Sequence, residues 1–131
     1  SSYRLRDGVP PVAQLCLIAR DTEEILAGAI RYWPVRVGQT KALLLGPVAV
    51  HSTRQGEGLG GLLIRKSMAI ASDLGWSRVI LVGDAPYYSR FGFSKLTGVD
   101  MPPPTNPDRI LGYAVETGVW ENISGKVQKI D

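Results

Sequence analysis

The run QGEGLGG at residues 55–61 places four glycines, Gly56, Gly58, Gly60 and Gly61, directly ahead of leucine-rich sequence. Upstream the chain is apolar and β-branched, as in ALLLGPVAV at 42–50. Downstream the spacing turns helical: Leu59, Leu62, Leu63, Ile70 and Leu74 recur at helical intervals, while Arg65, Lys66, Ser72 and Asp73 fall towards the other side. An amphipathic helix is predicted over 58–74, stopped by Gly75. A glycine loop between strand and helix lets main-chain N–H groups approach an anion with no side chain in the way, and the helix start adds the positive end of its dipole. The chain is therefore built around a phosphate-binding turn.

Three kinds of turn compete for these letters. Gly56-x-Gly58-x-x-Gly61 matches the dinucleotide fingerprint, and Asp84, after the strand-like RVILV, offers the acidic residue that a nicotinamide-dependent oxidoreductase would need. Strand order argues against it, because that fingerprint begins at the end of the first strand. Here residues 51–55 intervene and antiparallel strands come first. A P-loop is excluded because Leu62 and Leu63 stand where Lys and Ser or Thr are required. The pattern Gln55-x-x-Gly58-x-Gly60, a different pyrophosphate loop, survives.

The rest of the chain reads as one domain. With 131 residues, 44% hydrophobic and 21% charged, it can bury a core. The apolar run at 42–50 is far short of the roughly 18 residues of a membrane span, and no charged-then-apolar leader is read at the start. Cys16 has no second cysteine to pair with and reads as a small buried strand residue, so a reducing cytoplasm is expected. The net charge of +3 is scattered, suited to steering a small polyanion; no basic stripe interleaved with aromatics points to nucleic acid, and no membrane partner is indicated. No metal is expected, and a homodimer stays open.

Residues 12–19 and 25–37 read as a hairpin around the polar 20–24, and GQT at 38–40 turns into a third strand over 41–50. Gly46-Pro47 interrupts that third strand, since proline cannot donate to a ladder, so it should kink and splay from a neighbour. RVILV at 78–82 is a short buried strand, Pro86 can open a brief helix at 87–90, 101–107 is a surface loop, and a last strand is expected near 110–115. Strand, glycine loop, helix and strand make a parallel crossover unit.

The segments LGPVAVHSTRQGEGLGGLLIRK and ILVGDAPYYSRFGF resemble the core of the GNAT superfamily of acyl-CoA-dependent N-acetyltransferases, and GDAPYYSRFGF with VETGVWENISGKV resembles a bacterial branch of predicted N-acetyltransferases. The resemblance implies an α/β (α+β) fold with a mixed central sheet, an antiparallel meander followed by a β-loop-α-β crossover, and a splayed strand pair. It also implies a strand and one or two helices ahead of the meander, where only residues 1–11 stand; the usual N-terminal elements are expected to be missing. Acetyl-CoA would be the cosubstrate and an unidentified amine the acceptor. The backbone of Gln55, Gly56, Glu57, Gly58, Leu59 and Gly60 would hold the pyrophosphate, with Gly61 inside the first helical turn, and the pantetheine arm would run along Val48, Ala49 and Val50.

On this reading the amine attacks directly and no enzyme nucleophile is needed; the sequence shows no Ser-His-Asp pattern. Tyr88, four positions before Gly92 in YYSRFGF, stands where the family carries its general acid, and Arg90 could contact phosphate. LLLGPVAV contains no carboxylate to serve as base; His51, Glu116 and Asp84 are the alternatives and none is assigned. Acyl-CoA binding without catalysis is the competing reading.

Overall fold

The computed structural model describes residues 2–20, 23–46, 48–51 and 58–130. The helix α1 (Ser2–Arg6) is followed by a 3₁₀ turn (Ala13–Leu15) and four strands, β1 (Leu17–Arg20), β2 (Leu26–Ile30), β3 (Tyr32–Val37) and β4 (Thr40–Leu45). After β5 (Ala49–Val50) come the long helix α2 (Leu59–Asp73), β6 (Arg78–Val82), the short helix α3 (Ala85–Tyr88) and a 3₁₀ turn (Ser89–Phe91). The chain closes with β7 (Ser94–Lys95), β8 (Val99–Asp100), β9 (Ile110–Ala114) and β10 (Gly125–Lys129).

The strands form a larger sheet in the order β7-β9-β6-β4-β3-β10-β8 and a smaller one in the order β1-β2-β5. The predicted meander is present, but the stretch read as one strand over 25–37 breaks at Arg31 into β2 and β3, which belong to different sheets. The first strand starts later than expected, because Val12 and its successors make the 3₁₀ turn; Cys16 ends that turn, half-buried, with its thiol donating to the Val12 carbonyl at 3.4 Å. The strand near 110–115 is not the last. β10 follows it and pairs antiparallel with β3 and parallel with β8.

Two apolar layers hold the larger sheet. Period-two alternation sends Tyr32, Leu43, Leu45, Val79 and Leu81 to one face, where Leu63, Ile64, Met68 and Ala71 of α2 cover them. Trp33, Val35, Leu44, Ile80 and Ile110 point to the other face, against Leu5 of α1, Met101 and Val127. Burial on both faces explains the near-continuous apolar lettering of β4 and β6. Met101 thus anchors the proline-rich loop that the sequence placed wholly at the surface.

The crossover from β4 through α2 to β6 makes these two strands parallel neighbours, with Leu43 opposite Val79 and Leu44 opposite Ile80. There the pairing stops. Gly46 donates its N–H to the Arg31 carbonyl at 2.9 Å and lies so close to the Trp33 ring that an added Cβ would be 2.4 Å from it. Pro47, the other half of the predicted interruption, lies outside the described residues. When the chain resumes as β5 it pairs with β2, while β6 runs on to Val82 alongside β9. The sheet therefore forks between β5 and the end of β6, the splay that Gly46-Pro47 predicts. Among the described residues no helix is long and apolar enough to cross a membrane.

Candidate active site

A cleft of about 510 Å³ occupies the mouth of the fork. Val48 and Val50 form one wall, Gly58, Leu59, Gly60 and Gly61 bring in the start of α2, and Arg65, Tyr87, Arg90 and Phe91 close the far side. Gln55, Gly56 and Glu57 lie outside the described residues. Ala49, grouped with Val48 and Val50 by the resemblance, lines a separate small groove with β2 residues.

Strand geometry decides which backbone groups face the cleft. His51 donates its N–H to the Ala27 carbonyl at 2.7 Å, so residues 27 and 51 form a hydrogen-bonded pair of the antiparallel ladder. Bonded and non-bonded pairs alternate, so Gly28 opposite Val50 is a non-bonded pair. The N–H and C=O of Val50 therefore turn away from β2, towards the fork, where an extended ligand can pair with them.

The start of α2 is made for close approach. Gly58 caps the helix at φ 75°, a left-handed conformation that favours glycine, and contributes no side-chain cap. No acidic residue sits in the first turn. The leading N–H groups of a helix have no intrahelical acceptor, so this end presents donors and a positive dipole to the cleft. At Gly60 a Cβ would stand 3.3 Å from the Tyr87 hydroxyl and 3.7 Å from Val50 Cγ2. At Gly61 it would meet the Phe91 ring at 3.2 Å, which makes Gly61 a packing glycine.

The two adjacent tyrosines part company. Tyr87 turns its hydroxyl to Gly60, beneath the Arg90 guanidinium 5.5 Å from its ring centre. Tyr88 packs edge-on to Tyr87 and Phe93, with ring centres 5.0 and 5.8 Å away, and lies over Gly83, where a Cβ would be 2.6 Å from the ring. Gly83 immediately follows β6, so Tyr88 sits at the fork. Burial pushes the Tyr88 phenol above its ordinary value; Tyr87 adds to this, Arg109 opposes it and Asp84 adds again. Beneath the fork, Tyr32 is pushed up to about 12, chiefly by burial; its hydrogen bond to Ser67 opposes and the Tyr88 phenol reinforces the shift. Ser67 Oγ lies 2.7 Å from the Tyr32 hydroxyl and 3.0 Å from the Ile64 carbonyl, to which it donates.

Asp84 has a structural task. It caps α3, accepting the Tyr87 N–H at 3.1 Å, and its helix begins at Ala85, earlier than the 87–90 read from Pro86. His51 is exposed at the end of β5, and Glu116 is exposed beyond β9; neither lines the cleft. Arg90 does line it, as the sequence reading allowed. Arg65, Tyr87 and Phe91 were missed as cleft residues. Arg65 follows Gly61 by one helical turn, which was the available signal, and its guanidinium lies 4.8 Å from the Phe91 ring centre.

Residues 13–95 match the family model described as an acetyltransferase (GNAT) domain. The chain belongs to the GNAT acetyltransferase family. It is 33% identical over 81 residues to the uncharacterized N-acetyltransferase YhbS of Escherichia coli (strain K12), covering 60% of this chain and 48% of that protein. The chain thus spans about half the length of that curated relative. The crystal structure of YhbS from Escherichia coli in complex with CoA superposes with a TM-score of 0.85 at 23% identity, over 98% of this chain and 72% of the other, and so shares the GNAT fold. A GNAT family acetyltransferase from Brucella melitensis, in complex with acetyl-CoA, is 30% identical with a TM-score of 0.66, over 84% of this chain and 62% of that one. The fork, the crossover helix and the two-sided core are this family's fold in the present chain.

Proposed function

We propose that this GNAT domain binds acetyl-CoA in the forked cleft and transfers its acetyl group to a primary amine by direct attack within a ternary complex. The observation that carries the reading is the open edge of β5, with Val50 turned to the fork and the start of α2 at its mouth. The donors at α2 and the two arginines suit a pyrophosphate, and the β5 edge suits the amides of an extended pantetheine arm. The CoA and acetyl-CoA complexes of the two structural neighbours support this assignment.

In the reaction, the amine nitrogen attacks the thioester carbonyl carbon, the C–N bond forms and the C–S bond breaks. A backbone N–H at the β5 edge stabilises the developing oxyanion, a contribution of about 3 kcal/mol for one such donor. Tyr88 donates its proton towards the departing thiolate; a phenol carries its proton at neutral pH, and burial shifts Tyr88 further in the same direction. An ammonium cannot attack, so the amine arrives neutral; once the C–N bond has formed its nitrogen sheds a proton to water, and the Tyr88 phenolate takes one back from water, which closes the proton balance.

The lining itself offers no carboxylate or imidazole among the described residues, which favours a second reading, acyl-CoA binding without turnover. Release of free thiol from acetyl-CoA over a panel of amines separates the two. Amine-dependent thiol release establishes transfer; tight binding with no release for any amine class establishes the binding module.

A further inference from the structure

Gly83, the first residue after β6, is a meeting point of separate segments. Its N–H donates to the Arg109 carbonyl at 2.9 Å, which carries the β6–β9 ladder one step past the Val82–Ile110 pair. The Tyr88 ring lies against the same glycine, 2.6 Å from where a Cβ would stand. Arg109, in the 3₁₀ turn Pro107–Arg109 that leads into β9, is thereby held at the fork beside Tyr88. The nearby carboxylates have other partners: Asp84 accepts the Tyr87 N–H, and Asp108 is paired with Lys95. The exposed Arg109 guanidinium makes no ion pair among the described residues, so its charge stays uncompensated.

We propose that Arg109 is a positioning residue for Tyr88, its fixed positive charge stabilising the phenolate that forms when Tyr88 protonates the departing thiolate. The inference rests on the acid role that the transfer reading gives to Tyr88. In that step the Tyr88 O–H bond breaks, an S–H bond forms on coenzyme A, and the negative charge passes from sulfur to the phenol oxygen until water returns a proton. A thiol has an ordinary pKa of about 8.5 and a phenol of about 10, so the transfer runs uphill, and burial of Tyr88 makes it steeper. Tyr87 and Asp84, at α3, also disfavour the phenolate, and Tyr32 on β3 is linked to Tyr88 by like-charge repulsion. Among the described residues that act on Tyr88, Arg109 is the one that favours its anion. A guanidinium suits this task because it stays charged over the whole range in which a phenol titrates.

Ultraviolet difference titration of the wild-type chain and of Arg109→Gln, each against its own Tyr88→Phe counterpart, isolates the Tyr88 phenol. Removing the cation removes what favours the phenolate, so the Tyr88 titration should move to higher pH in Arg109→Gln. In amine-dependent thiol release at neutral pH, Arg109→Gln should lower kcat about fivefold, a modest factor suited to an exposed charge, with KM for acetyl-CoA within about twofold of wild type. Arg109→Lys is still cationic at that pH and should restore most of the rate. In a Tyr88→Phe background Arg109→Gln should add no further loss. The bond to Gly83 comes from the Arg109 backbone and survives these substitutions, which unchanged thermal unfolding at neutral pH confirms. An unmoved Tyr88 titration overturns the proposal, as does an equal fall in kcat with and without the Tyr88 hydroxyl, the mark of a merely structural role. If the wild-type chain releases no thiol with any amine, the transfer reading falls and this role with it; if it turns over and Tyr88→Phe turns over equally well, the transfer reading stands and Arg109 loses its role.

Discussion

Tyr87 and Tyr88 are neighbours in the chain with separate surroundings, Tyr87 lining the cleft and Tyr88 packed over Gly83 at the end of β6, outside the cleft lining. This gives them separable predictions. Tyr88→Phe should lower kcat by about 10²-fold, the low end for loss of a general acid, with little change in acetyl-CoA affinity. Because burial raises the Tyr88 pKa, the acid stays protonated above pH 10, so a wild-type alkaline limb assigned to it should lie above that value and vanish in the phenylalanine variant. A pH profile of kcat checks both statements. Tyr32 makes a stability prediction of defined sign. Its folded pKa of about 12 exceeds the ordinary value of 10.0, so the folded state holds the proton more tightly; its contribution is complete below pH 10 and is lost as pH rises through 12. Denaturant unfolding at stepped pH should show a loss of about 3 kcal/mol from Tyr32 over that range, so the decline should be clearly smaller in Tyr32→Phe, where the raised Tyr88 phenol still contributes.

At the scale of elements, the fork is made where β4 gives way to β5, and α2 is the crossover that holds it open. Ile64 and Leu63 face the sheet, and Ile64→Ala should cost about 2–5 kcal/mol, read as a lower denaturant midpoint with unchanged slope. The strongly periodic α2 and the apolar β6 were legible because their burial is written in their own spacing. The interruption at Gly46-Pro47 also announced itself, since a missing donor and a missing side chain both weaken a strand. The break at Arg31 was not legible: Gly28 and Pro34, which could have marked an interruption in 25–37, lie inside β2 and β3, and the change of sheet follows from pairing with β5 far along the chain. β10 was missed because GKVQK is polar and buries one residue, Val127; its place comes from ladder bonds to β3 rather than from its own hydrophobicity.

For the molecule as a whole, the site joins distant segments, and that is why it was half visible. Glycines at the start of α2 carry a local pattern, whereas Arg65 enters the cleft only once Phe91, 26 positions later, is folded beneath it. The family resemblance singled out Tyr88 from its distance to Gly92, yet it is Tyr87 that lines the cleft, and nothing in the lettering showed that Asp84 would be occupied as a helix cap. The central claim is that this cleft is an acyl-CoA site, and a ligand bound to the native state alone raises stability by mass action. Thermal unfolding with acetyl-CoA and, separately, with NAD tests it most directly. Acetyl-CoA at about 100 times its Kd should add about 2.7 kcal/mol, read as a rise in Tm, and NAD at the same concentration should add nothing. Stabilisation by NAD with none from acetyl-CoA would contradict the account.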